Sequence, residues 1–182
     1  ECADIFKMGN YYYLVFSENW GNSRGTHYKM ASSIDGPWTT PEQDMFDGEY
    51  FYAAKTASDG NKRYAFGWTA RKSPENDGGN KEWAGNMVIH EINQNPDGTL
   101  TFQAPQAVKN IFSKQIALEL VDKAGTVTEN NNSFQLDGNA SVSFKSAGKK
   151  AKVNATIAVG NATASAGFKF DTNDAGDYYK IL

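Results

Sequence analysis

The chain has 182 residues, a formal net charge of −3, and 40% apolar, 13% aromatic and 21% charged residues, the composition of folded domains and not of a fibrous or disordered segment. Its lysines are dispersed among acids, which excludes the concentrated basic field that nucleic acid requires. No stretch approaches the roughly 20 apolar residues that span a bilayer, and the single cysteine, Cys2, excludes an internal disulfide and a CxxC-type metal framework.

Short apolar or aromatic runs separated by Gly, Asn, Asp and Pro, with almost no sustained 3.6-residue period, predict an all-β chain. Strands are expected at 5–8, 11–17, 26–32, 50–56, 63–69, 87–92 and 100–102. The turns between them are carried by Met8-Gly9-Asn10, Asp35-Gly36-Pro37, Ser58-Asp59-Gly60-Asn61 and Pro96-Asp97-Gly98, which supply residues tolerant of positive φ. In the run 63–69, Tyr64, Phe66 and Trp68 fall on one face and Ala65 and Gly67 on the other, the period of a pleated strand. That pattern implies two covered faces, with Trp68 in the core. The polar segment 72–81 reads as a longer loop, either rim decoration or the wall of a site.

Beyond about Val108 the texture changes, because aromatics become sparse and single apolar residues alternate with Ala, Ser, Thr and Asn. A first domain is therefore expected over 1–108, a linker or short helical turn over 109–115, and a second domain over 116–182. Val153, Ala155, Ile157 and Val159, and then Ala164, Ala166, Phe168 and Phe170, alternate as in a sandwich sheet. The closing run Tyr178-Tyr179-Lys180-Ile181-Leu182 has strand composition and no closing turn, so the sandwich is expected to be truncated.

Candidates for chemistry are few. Glu1 is a carboxylate just before a short strand, and spacing alone reads it as a solvated residue. Asp4, taken by itself, reads as a turn former capping its own backbone. Trp83 fits a stacking wall or a core residue, and Trp20, in the polar stretch Glu18-Asn19-Trp20-Gly21-Asn22, fits a platform over a site. Cys2 is expected to be a packed, inert thiol, since no His or Lys stands close in sequence to activate it. His27 and His90 lack a third ligand at metal spacing, so no metal is expected. Asn-x-Ser/Thr matches at Asn131, Asn139, Asn154 and Asn161 are ascribed to a composition rich in Asn and Thr.

Read together, several segments resemble glycoside hydrolase family 32, the fructan and sucrose hydrolases. Glu1-Cys2-Ala3-Asp4 is similar to that family's Glu-Cys-Pro-Asp motif, and Phe51-Tyr52-Ala53-Ala54 looks like its Asp-Phe-Tyr-Ala segment. Gly67-Trp68-Thr69 and Trp83-Ala84-Gly85 follow in the family's order, and Asp97-Gly98-Thr99-Leu100 with Gln103-Ala104-Pro105 resembles the passage into its second domain. The resemblance implies a partial five-bladed β-propeller, its last blades only, followed by the first part of a β-sandwich. It implies a cofactor-free hydrolase of β-fructosides such as levan, inulin or sucrose, with a retaining two-carboxylate mechanism and Glu1 as general acid/base. Asp4, Tyr52, Trp83 and Trp20 would then face an oligo- or polysaccharide. The nucleophilic aspartate would lie before Glu1, so this chain alone is expected to be inactive and to need the remainder of its own propeller. An extracellular or periplasmic location, with no nucleic-acid or membrane partner, goes with that reading.

Two departures stand out: Ala3 replaces the motif's proline, and Tyr50, with Glu49 before it, stands where the family has aspartate. The strand 11–17 and Gly36-Pro37-Trp38 also resemble family 43 hydrolases of arabinose and xylose polymers, which share the propeller. A non-catalytic carbohydrate-binding protein on the same fold is a further alternative.

Overall fold

In a computed structural model of the chain, residues 1–20, 23–76, 78–131, 133–145, 148, 150–161, 163–170 and 179–181 are described, with Ala84 and 179–181 described by backbone alone. The chain divides into two units, Glu1–Ile111 and Phe112–Leu182. Almost all regular structure is antiparallel β-sheet, with one short helix.

The first unit opens with strands β1 (Asp4–Met8), β2 (Tyr11–Glu18) and β3 (Gly25–Ala31), paired in that order. Gly9, at φ +56, makes the two-residue turn between the first two, and a side chain there would strike Gln94 Oε1 at 2.3 Å. The free edge of β3 is partly covered by the following segment. Met30 and Thr39 exchange main-chain hydrogen bonds of 2.9 and 2.8 Å, and Phe46 N donates to Thr26 O at 2.9 Å, which blunts an otherwise open strand edge.

A second meander follows: β4 (Phe51–Ser58), β5 (Arg63–Ser73), β6 (Asn80–Gln94) and β7 (Leu100–Gln103). The helix α1 (Gln106–Ile111) then begins within the expected first domain and runs into the start of the segment 109–115 expected as linker. Alternation puts Tyr13, Val15 and Ser17 of β2 on the buried side, where they join Phe6, Tyr28, Phe46, Phe51, Ala65, Ile92 and Leu100 in one core. Two tyrosines fasten the sheets: Tyr13 O–H donates to Gly98 O at 2.6 Å, and Leu100 N donates to the Tyr28 hydroxyl oxygen at 2.9 Å. Burial raises both phenol pKa values above the ordinary range, so both groups stay protonated.

Two expectations need correction here. The segment 72–81 is mostly not a loop, because β5 and β6 remain paired out to Lys72↔Lys81 and Ser73↔Asn80. And the inner face of β5 is Ala65 and Gly67, while Phe66 is exposed and Trp68 half-buried. A Cβ on Gly67 would lie 2.6 Å from the Phe51 ring, so the small residues admit that ring to the core and the large aromatics take the other face.

Glu91 of β6 is buried at 2% exposure and accepts from Lys62 Nζ at 2.7 Å and Gln103 Nε2 at 3.1 Å. The Lys62 hydrogen bond, opposed by desolvation and aided by Gln103, holds its carboxyl below its ordinary value of 4.5. A depressed folded-state pKa adds stability above the unfolded value, and that stability is lost as pH falls through the folded one. Glu91→Gln is thus expected to melt lower than wild type at pH 7, the gap closing below about pH 4.5. A gap that stays constant in melts from pH 7 to pH 3 would refute this coupling.

The second unit contains β8 (Leu120–Asn130) paired with β9 (Ser133–Phe144), and β10 (Phe168–Phe170) paired with β11 (Tyr179–Ile181). The alternating run Val153, Ala155, Ile157 and Val159 forms no strand, and Val153, Ile157 and Val159 are exposed. A period of two supplies an apolar face, but a strand exists only where a neighbour pairs with it. Phe168 and Phe170 do fall in a strand, whereas Tyr178 and Leu182 of the closing run lie outside the described residues. Among the described residues there is neither a closed propeller nor a second sheet completing a sandwich.

Candidate active site

Glu1 extends the β1–β2 ladder by one pair, since Ser17 N donates to Glu1 O at 2.8 Å and Glu1 N donates to Ser17 O at 2.7 Å. Cys2 then takes φ +53 and turns the chain into β1. With its backbone fixed, the Glu1 side chain reaches across to the second sheet, and its Oε2 accepts a hydrogen bond from the Tyr52 hydroxyl at 2.9 Å.

Tyr52 is 1% exposed. Its pKa is pushed up to about 12, first by burial and then by the hydrogen bond to Glu1, with Arg24 opposing. The phenol therefore keeps its proton throughout the neutral range and remains the donor in its bond to the Glu1 carboxyl.

Around Tyr52 the outward aromatics of β5 and β6 assemble. Tyr52 stands opposite Trp68, and Trp68 opposite Met87, in register. Ring centroids are 5.4 Å apart for Tyr52 and Trp68, 5.7 Å for Tyr52 and Trp83, and 6.3 Å for Trp68 and Trp83, with the tilted and edge-on geometries that aromatic quadrupoles favour. Trp83, 61% exposed, borders two concavities. One, about 210 Å³, is polar and lined by Asn19, Arg24, Lys81, Glu82 and Trp83. The other, about 420 Å³, is bounded by Ala53, Phe66, Trp68, Trp83 and Met87. Glu1 and Tyr52 line neither, but the Tyr52 ring packs against Trp83, which borders both.

Arg24 lies over the Tyr52 ring at 4.9 Å and the Trp68 ring at 5.7 Å, and donates to Glu49 O. Lys81 pairs with Glu49 at 2.5 Å and sits 4.7 Å over Tyr50. Glu49, one residue before Tyr50, is thus engaged by two cations, its carboxylate by Lys81 and its main-chain carbonyl by Arg24.

The remaining candidates separate clearly. Asp4 Oδ2 accepts the Thr56 N–H at 2.7 Å, and Lys55 Nζ donates to Ala3 O at 2.5 Å; Asp4 therefore caps backbone, that of the neighbouring sheet and not its own. Trp20 is 61% exposed but borders neither concavity and stacks on none of the cluster's rings. Trp68, expected in the core, belongs to the cluster. Cys2, expected to be packed, is exposed.

His27 Nδ1 is 3.1 Å from Asp44 and its Nε2 donates to Ser23 O at 2.9 Å, while His90 Nε2 meets Asp47 at 2.8 Å. Among the described residues no three His, Cys, Asp or Glu side chains gather as metal ligands. No described helix is long and apolar enough to cross a membrane. Arg24, Lys81, Ser17 and Met87 carry no sequence signal for the site; they reach it through pairing and loop placement.

An exposed aromatic wall beside a few polar groups is the usual make-up of a small-ligand site. A carboxyl fixed at its margin by one oxygen leaves the other for proton transfer.

No family model matches this chain, and no curated protein matches it. Among solved structures it is similar to an exo-1,5-alpha-L-arabinanase from a bovine ruminal metagenomic library, at 18% identity and TM-score 0.38, over 56% of this chain and 37% of that one. It is also similar to a protein described as a glycoside hydrolase, at 19% identity and TM-score 0.39, over 57% and 24%. The chain spans well under half the length of either. Likeness at this level leaves the reading of the site to its own geometry.

Proposed function

We propose that the chain is part of a glycoside hydrolase in which Glu1 is the proton donor to the departing glycosidic oxygen. The observation that carries this reading is the 2.9 Å hydrogen bond from Tyr52 to Glu1 Oε2, which ties the exposed Glu1 carboxyl to the ring that packs against Trp68 and Trp83. Glycoside cleavage uses two carboxyl groups, roughly 5 to 5.5 Å apart in retaining enzymes. In this reading the second, nucleophilic one belongs to polypeptide preceding Glu1, so the 182-residue chain alone releases no sugar. The two consecutive antiparallel meanders, β1 to β3 and β4 to β7, suit adjoining blades of a propeller.

The finer reading is a β-fructoside hydrolase of the family 32 kind, acting outside the cell or in the periplasm, supported by Glu1-Cys2-Ala3-Asp4 and the Trp83-Ala84-Gly85 strand. A second reading is an arabinose- or xylose-polymer hydrolase of the family 43 kind. It is favoured by Tyr50 in place of the expected aspartate, with Glu49 engaged by Lys81. The test is to assay the full-length protein on levan, inulin, arabinan and xylan, following released sugar and its anomeric configuration. Fructose release supports the first reading and pentose release the second. Binding of any of these glycans without turnover would replace both with a carbohydrate-binding role.

A further inference from the structure

The Glu1–Tyr52 hydrogen bond joins two different sheets, and one residue grips both ends of it. Ser17, fully buried, holds Glu1 through its main-chain N–H and C=O. Its hydroxyl oxygen accepts the N–H of Ala53 at 2.9 Å and lies 3.1 Å from Thr26 Oγ1. Ala53 is where β4 is irregular: the pairing register shifts between Tyr52 and Lys55, and Ala53 has φ +55. Such a bulge takes an amide out of the ladder and re-aims the neighbouring side chain. Here the displaced amide would be unpaired without the Ser17 hydroxyl, and the re-aimed neighbour is Tyr52.

We propose that Ser17 is a positioning residue for the proton donor: its hydroxyl locks the bulge at Ala53 and so sets the separation of the Tyr52 phenol from the Glu1 carboxylate. This rests on the reading of Glu1 as proton donor. The bonds from Thr56 N to Asp4 and from Lys55 to Ala3 lie on the far side of the bulge, and they leave the Ala53 peptide unheld. The Ala53 amide is only part-buried, and on losing its acceptor it recruits water or moves. Either event shifts the residue before it, and a misplacement of about 1 Å in a catalytic array can cost on the order of 100-fold in rate.

The experiment uses the full-length protein and two substrates of one sugar: inulin or arabinan, whichever it hydrolyses, and the nitrophenyl glycoside, whose leaving group needs little protonation. Ser17→Ala is expected to lower kcat/KM roughly 10- to 100-fold on the polysaccharide and no more than about 2-fold on the nitrophenyl glycoside. Ser17→Thr, which keeps the hydroxyl, is expected to restore the polysaccharide rate. Amide exchange at Ala53 is expected to accelerate in Ser17→Ala while amides of β5 keep their rates.

Equal losses on both substrates, or unchanged exchange at Ala53, would overturn the proposal. If Ser17→Ala does not fold, Ser17→Cys, similar in volume and a weak acceptor, is read by the same two measurements. Glu1→Ala run in parallel separates the layers. If it fails to discriminate between the substrates, the proton-donor reading falls and the positioning role with it. If it discriminates and Ser17→Ala does not, only the positioning role falls.

Discussion

Glu1→Ala in the full-length protein is expected to lower kcat/KM on its polysaccharide by about 10²- to 10⁴-fold, while the nitrophenyl glycoside of the same sugar loses no more than about tenfold. The first figure corresponds to roughly 3 to 5 kcal/mol of lost transition-state stabilisation. The split between substrates follows from what the group supplies. A sugar hydroxylate is a poor leaving group and must take a proton as the bond breaks, whereas a nitrophenolate departs as the anion. Tyr52 cannot stand in. Burial, the largest cause of its raised pKa, persists when Glu1 is removed and keeps the phenol above its ordinary value of 10, far from the neutral range in which an efficient donor must both hold and release its proton. Steady-state rates on both substrates decide the matter, and equal losses on the two would reassign Glu1 to binding or to structure.

The strands of the first unit were legible because the signals that make them are local. At 11–17, for example, a period of two runs between a Gly-Asn turn and a polar loop, and the strand forms at Tyr11–Glu18. Which face of a strand turns inward is not local. Tyr64, Phe66 and Trp68 share a face by period alone, but the core lies on the other side because the Phe51 ring needs the space over Gly67. The extension of β5 and β6 through 72–81 also escaped, since its cross-strand pairs, Lys72 with Lys81 and Ser73 with Asn80, carry no apolar signature. The site shows the same division. Glu1, Tyr52 and Trp83 came from a motif resemblance, whereas Arg24 and Ser17 act through partners such as Tyr52 and Ala53, which are distant in sequence. In the second unit the pattern at Val153–Val159 resembled a strand, but no described neighbour pairs with it, so local periodicity overstated the structure.

The second large effect concerns the glycines beneath the aromatic cluster. Gly67→Ala is expected to destabilise the protein by about 1–3 kcal/mol, and Gly85→Ala by at least as much. At Gly67 the added methyl would sit 2.6 Å from two carbons of the Phe51 ring and 2.9 Å from Tyr52 O. The ring is fully buried against Phe46 and His90, so it has nowhere to swing, and relief must come from moving β4, which carries Tyr52. At Gly85 the methyl would fall 1.7 Å from Thr69 O, a main-chain atom. That collision can be relieved only by parting β5 from β6 near Thr69↔Asn86, between the two tryptophans. Gly160, whose Cβ position has nothing within 4 Å, serves as the control: Gly160→Ala is expected to change stability by no more than about 0.5 kcal/mol. Urea unfolding by far-UV circular dichroism measures all three, and near-UV dichroism at neutral pH reports whether the packing of Trp68 and Trp83 has changed. If Gly67→Ala and Gly85→Ala unfold at the Gly160→Ala midpoint, the close passage of β4 over Gly67 and of β5 over Gly85 is wrong, and the aromatic arrangement built on it would have to be redrawn.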